Sequence, residues 1–137
     1  MNDDLIKLRV VTPSGPVVEQ MVSSITTSSE MGEFCVLPEH RPVLASLKPG
    51  RLMFEVDGEP TVYAVDIGFF ESSADHVNVM TQHCVSKESI EEEIEDLQKE
   101  LGSLQEEFSE LEEDSPARTT LEAGITWLQA QLEVAQK

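Results

Sequence analysis

The hydrophobic positions of this chain change rhythm once, near Val85. From Leu5 to Val85 they fall in short β-type runs: LIKLRVV, VVEQMV, SITTSS, EFCVL, RLMFEV, TVYAVD, GFFESS and HVNVMT. Turn signals part them at Pro13-Ser14-Gly15-Pro16, Lys48-Pro49-Gly50, Asp57-Gly58 and Ser72-Ser73-Ala74-Asp75. Asp57-Gly58 is the strongest of these, because both central positions of a tight hairpin favour positive φ. Val77 and Val79 alternate with His76, Asn78 and Met80, so the two sets belong to opposite faces of one strand. Many short strands at close spacing predict an antiparallel sandwich or flattened barrel over residues 1–85.

Beyond Val85 the period becomes helical. Ile90, Ile94, Leu97, Leu101, Leu104, Phe108 and Leu111 recur at alternating steps of four and three, which makes one apolar seam. Ser89 with Glu92 predicts a capping box, and the helix is expected to stop near Glu112-Glu113-Asp114. Ser115 then offers an N-cap with Pro116 at the first helical position. A second seam follows through Leu121, Ile125, Leu128, Leu132 and Ala135. Residues 86–137 therefore read as an antiparallel two-helix hairpin, and the whole chain as α+β. Gly102 and Gly124 inside the helices, each costing about 1 kcal/mol against alanine, predict a hairpin of moderate stability.

Charge narrows the partners. Acids outnumber bases 27 to 9, for a formal net charge of −18. Such a chain repels nucleic acid and anionic lipid. No apolar run approaches the roughly 18 residues of a membrane span, and the opening MNDDLIKLR does not resemble a signal peptide. Direct membrane insertion is thus not expected. Residues 86–137 hold 15 acids and 4 bases, so the hairpin is the more acidic half. Like charges at Glu88/Glu92 and Glu91/Glu95 oppose the helix by a few tenths of a kcal/mol per pair.

Catalytic and metal motifs are missing. There is no Gly-rich phosphate loop, no Gly-x-Ser-x-Gly elbow and no His-Glu-x-x-His pair. His40, His76 and His83 are scattered, and the adjacent His83-Cys84 does not match zinc spacing. Cys35 and Cys84 read as reduced thiols without a partner base. The expectation is a non-catalytic protein without metal or cofactor. Two patterns point instead to protein contacts: the hairpin, and the loop from Ser29 to Pro42 with Glu30, Glu33, Glu39, His40 and Arg41 beside an apolar strand.

That loop carries a resemblance. SSEMGEFCVLPEHRPVLASLKPG, Ser28 to Gly50, resembles the signature of the epsilon subunits of bacterial F-type ATP synthases, equivalent to the mitochondrial delta subunit. Gly32-Glu33, Pro38, His40, Leu44, Leu47 and Lys48-Pro49-Gly50 stand at matching spacing. LIKLRVVTPSGPVV resembles the family's first two strands, and TVYAVDIGFFESSADHVNVMTQHCV its later ones, with Gly68 at one of the paired glycines. Cys35 and Glu39 replace family glycines, and Met31 is an insertion.

The resemblance implies a sandwich of about ten strands followed by a helical hairpin, on the central stalk of a proton-driven rotary motor. It implies a gamma subunit and the polar loops of the c-ring as partners, with the beta subunits reached through the hairpin. It places the chain peripherally at the cytoplasmic face of the bacterial inner membrane. On matching positions it gives Glu33 to the c-ring contact and His40 to the gamma contact, with Pro38 and Arg41 in the same docking edge. Some relatives bind ATP through an Ile/Leu-Asp-x-x-Arg-Ala motif; here Ile90-Glu91-Glu92-Glu93-Ile94-Glu95 puts glutamate where arginine belongs. A carboxylate cannot donate to phosphate, so no ATP binding is expected. The inhibitory second helix of many members is basic, whereas here only Arg118 and Lys137 are, so inhibition of hydrolysis is expected to be weak. The rival class is an unrelated acidic binding module or nucleic-acid mimic, which would co-purify with a nuclease or client instead of a stalk.

Overall fold

The computed structural model describes residues 5–136; residues 1–4 and 137, within the expected domain bounds, lie outside it. Nine strands precede three helices: β1 Ile6–Thr12, β2 Gly15–Val22, β3 Ser24–Ser29, β4 Gly32–Val36, β5 Val43–Val56, β6 Glu59–Val65, β7 Gly68–Ser72, β8 His76–Thr81, β9 Cys84–Ser86, then α1 Lys87–Glu92, α2 Ile94–Glu110 and α3 Ala117–Gln136. The eight sequence runs each become a strand, and β9 is added. The count among described residues is nine where the resemblance implies about ten.

The strands form two layers joined by β5. Its first part pairs with β7 in the layer β2-β1-β8-β7. Its second part pairs with β6, and β6 with β9, while β3 and β4 continue on the other side. The switch falls at Lys48-Pro49-Gly50, which the sequence suggests is a turn between strands. It is instead a corner within one strand. Pro49 supplies no ladder donor there, and at Gly50 a Cβ would stand 3.4 Å from the Ser28 side chain. The sheet is also mixed, because β1 and β8 pair in parallel. Tight turns force antiparallel pairing only between strands adjacent in sequence, and six strands separate these two.

Inward alternation builds an aliphatic core of Ile6, Leu8, Val10, Val22, Ile25, Leu52, Val77 and Val79, all without solvent contact. Phe70 joins it, edge-on to Phe34 with ring centroids 5.0 Å apart. Asp57 and Gly58 both take positive φ, as the hairpin signal requires. Ala64 faces the other way and founds a second core with Ile90, Leu97, Leu128, Leu132 and Val134. The hairpin is therefore seated on the sandwich: α1 packs on β6, β9 and α3, α3 packs on β5 and β6, and α2 runs along α3 on the far side.

Two helix boundaries differ from expectation. The first N-cap is Ser86, whose hydroxyl accepts from the Ser89 N–H; Ser89 is the capped residue and not the cap. The expected single first helix breaks at Glu93, with φ −121° and ψ 16°. Neither proline nor glycine stands there, but the break falls in the run Glu91-Glu92-Glu93, where like charges weaken the helix. The second start is as read, with the Ser115 hydroxyl accepting from the Ala117 N–H at 3.3 Å. Arg118 then lies over the Phe108 ring at 4.2 Å and ties the tip of the hairpin.

Candidate docking surfaces

The four residues of the expected docking edge do not come together. Glu33 lies early in β4, beside the corner of β5. Pro38, His40 and Arg41 follow the end of that strand, so its length of about 3.3 Å per residue separates them from Glu33. The sandwich thus presents two separate ends.

At the first end, the Glu33 carboxylate meets the Arg51 guanidinium at 3.4 Å. Both side chains are substantially exposed, so the pair contributes little, roughly 0–1 kcal/mol. Its weakness leaves Glu33 exchangeable toward a better-desolvated cation. The tip of the β3–β4 hairpin, Glu30-Met31, stands next to it, with Met31 almost wholly exposed.

At the second end, the loop after β4 is internally ordered. The Glu39 N–H donates to the Ala74 carbonyl at 2.9 Å and pins the loop to the β7–β8 turn. The His40 ring donates from Nδ1 to the Leu37 carbonyl at 2.9 Å, because a carbonyl only accepts. Nε2 of His40 is buried beneath the loop and has no hydrogen-bond partner among the described residues. Glu39 adopts φ +65°, the left-handed region in which a Cβ costs about 1–2 kcal/mol. Glu39→Gly removes that cost and adds up to about 1 kcal/mol of unfolded-state entropy. The expected net is a gain of about 0.5–1 kcal/mol, read as a rise of a few degrees in thermal unfolding.

A third surface lies between these ends on the outer face of the β2-β1-β8-β7 layer. Val11, Met80, Phe69 and Ser46 form one row across β1, β8, β7 and β5. Phe69 is 55% exposed, Met80 46%, Ile67 54% and Leu44 76%. The row borders a cleft of about 520 Å³ that also reaches Pro13 and Glu30. Contiguous apolar exposure of this kind marks a protein contact. The sequence reading missed it, although one signal was present. Adjacent Phe69 and Phe70 in a strand face opposite sides, so one had to lie outside.

Neither cysteine offers a nucleophile beside a base. Burial pushes the Cys84 thiol up to about 12, so it stays protonated. Cys35 is exposed on β4, where its neighbour across the ladder is Thr26. Among the described residues no three His, Cys, Asp or Glu side chains are grouped to hold a metal, and no helix is long and apolar enough to cross a membrane.

Comparison with known proteins agrees with this architecture. Residues 5–87 match the family model described as ATP synthase, Delta/Epsilon chain, beta-sandwich domain. An ATP synthase epsilon chain of Bacillus subtilis is 35% identical over 88 residues, which are 64% of this chain and 67% of that one. One of Trichlorobacter lovleyi is 36% identical over 86 residues, 63% of this chain and 62% of that one. These matches span about two thirds of the relatives' length. A chain in the structure of the Euglena gracilis mitochondrial ATP synthase, OSCP/F1/c-ring, superposes with a TM-score of 0.81 at 25% identity, over 98% of this chain and 82% of that one. A chain in the central stalk/c-ring of the Tetrahymena thermophila enzyme shares the fold, with a TM-score of 0.61 at 10% identity.

Proposed function

The chain belongs to the delta/epsilon family of ATP synthase chains, and from that premise we propose that it is a non-catalytic central-stalk subunit that clamps a gamma subunit to a c-ring. The observation that carries this reading is the pair of separated polar ends joined by an exposed apolar row. A clamp between two partners needs such separation, whereas a catalytic site needs convergence.

The apolar row around Phe69, together with Pro38, His40 and Arg41 beyond the far end of β7, takes the gamma subunit. Nε2 of His40 is buried and finds no partner within the described residues, so a small shift of the loop on docking would let it accept a hydrogen bond there. The end with Glu33 rests on the polar loops of the c-ring, where a cation less solvated than Arg51 draws the carboxylate away. Residues 1–85 make the docking domain and residues 86–137 the hairpin domain, peripheral to the cytoplasmic face of the bacterial inner membrane. Because the hairpin is acidic, its contact with the beta subunits is weak, and coupling of proton flow to ATP synthesis outweighs inhibition of hydrolysis. The carboxylates around Ile90 and Ile94 give it no ATP site.

Capture of the chain's own gamma subunit by the tagged full chain tests the reading. Wild type is expected to capture it stoichiometrically, and His40→Ala to weaken capture about fivefold, the equivalent of one lost hydrogen bond of about 1 kcal/mol. Failure of wild type to capture gamma overturns the stalk role. Undiminished capture by His40→Ala removes His40 from the interface.

A further inference from the structure

We propose that His83, braced by Asp66, is a proton-sensitive seat that holds the helical hairpin against the sandwich through Trp127. The three residues come from three places in the chain. Asp66 opens the β6–β7 connection, His83 lies between β8 and β9, and Trp127 lies in the middle of α3.

Asp66 is fixed first. Its N–H donates to Thr81 Oγ1 at 3.0 Å, and its Oδ1 accepts from the Ile67 N–H at 2.7 Å. Its other oxygen lies 2.8 Å from His83 Nδ1. A carboxylate only accepts, so Nδ1 carries a hydrogen whatever the charge of the ring. The Asp66 side chain is 13% exposed and the His83 side chain 58% exposed, so a held ring stands out from the sandwich. The indole of Trp127 lies almost parallel to it, with centroids 5.5 Å apart and planes 19° apart.

Only interactions that differ between docked and released hairpin bear on docking. The Asp66–His83 pair lies within the sandwich and persists in both states. The stack on Trp127 exists only when α3 is seated. An imidazolium over an indole face gains a cation–π attraction that neutral imidazole lacks. Protonation therefore favours the seated hairpin, and the gain fades as pH rises through the range in which histidine loses its charge. For an exposed cation–π contact the change in the seated-to-released ratio is about two- to fivefold.

The surroundings leave His83 in control. The helical neighbours of Trp127 are Ala123, Gly124, Ala130 and Gln131, none of which titrates. On β6 and β9, burial raises both Tyr63 and Cys84, so both stay neutral between pH 5.5 and 8. Lys87 and Glu88 open α1 and are common to every variant compared. His76 lies at the opposite end of β8, and His40 lies with it near Ala74.

The test measures amide hydrogen exchange across α3 in the full chain, wild type against His83→Gln, at pH 5.5 and pH 8. Intrinsic exchange chemistry and every shared titration cancel in the ratio at each pH. The protection ratio of wild type over variant is expected to be two- to fivefold larger at pH 5.5. An equal ratio at both values overturns the proposal. Trp127 is the chain's single tryptophan, so its emission reads the contact directly and should titrate in wild type but not in His83→Gln. Trp127→Leu, which keeps an apolar contact, should abolish the pH dependence of α3 protection; its survival would also overturn the proposal. All these measurements use the chain alone, so they succeed or fail independently of the stalk role.

Discussion

Gly68→Ala is expected to destabilise the sandwich by about 3 kcal/mol or more, lowering the unfolding temperature by about 10 °C. Gly68 opens β7 between Leu47 on β5 and Thr81 on β8. A Cβ there would overlap the carbonyl oxygen of Met80 and stand 2.8 Å from the Thr81 Cα. Those are backbone atoms of a paired strand, so no side-chain rotation relieves the clash. The change must part β7 from β8 at the point where Asp66, Ile67 and Gln82 are also bonded across. Gly102→Ala is the matched control. Nothing lies within 4 Å of a Cβ at that exposed helical position, so the substitution should stabilise the chain by up to about 1 kcal/mol. Thermal unfolding of the two variants checks both signs. A Gly68→Ala protein as stable as wild type would mean that the β7–β8 register is not the one described.

What the sequence makes legible follows the range of the interactions. The Asp57-Gly58 turn, the Ser115 cap and both helical seams depend on residues within four positions of one another, and the structure shows each of them. The capping-box rule favours Ser89 with Glu92 over Ser86, which has serine three residues on, so the local signal puts the first cap one turn late. Only the end of β9, paired with β6 through Ser86, decides between them. The corner at Lys48-Pro49-Gly50 reads as a turn because proline and glycine punctuate both features. Telling them apart requires Ser28 on another strand. The resemblance carried Glu33 and His40 as parts of one edge. Neighbours in sequence, they are held at different ends of the sandwich by an intervening strand. The His83–Trp127 stack joins residues 44 positions apart and leaves no periodic trace.

The adjacent phenylalanines separate stability from binding most cleanly. Phe70 has no solvent contact and packs edge-on against Phe34. Phe70→Ala should cost about 3–5 kcal/mol, the lost transfer energy plus the cavity left behind. Phe69 points the other way, 55% exposed, in the row with Met80 and Val11. Phe69→Ala creates no cavity, so its effect on unfolding should stay within about 0.5 kcal/mol. If this row is the gamma contact, Phe69 sits near its centre, where an aromatic anchor is worth about 2 kcal/mol or more. Capture of the gamma subunit should then fall about thirtyfold in Phe69→Ala. Unfolding curves and titrated capture, run on the same two proteins, give opposite rankings if the assignment is right. Equal gamma affinity in wild type and Phe69→Ala would move the contact off this face. The clamp would then depend on the His40 loop alone, too small a surface to hold a partner through rotation.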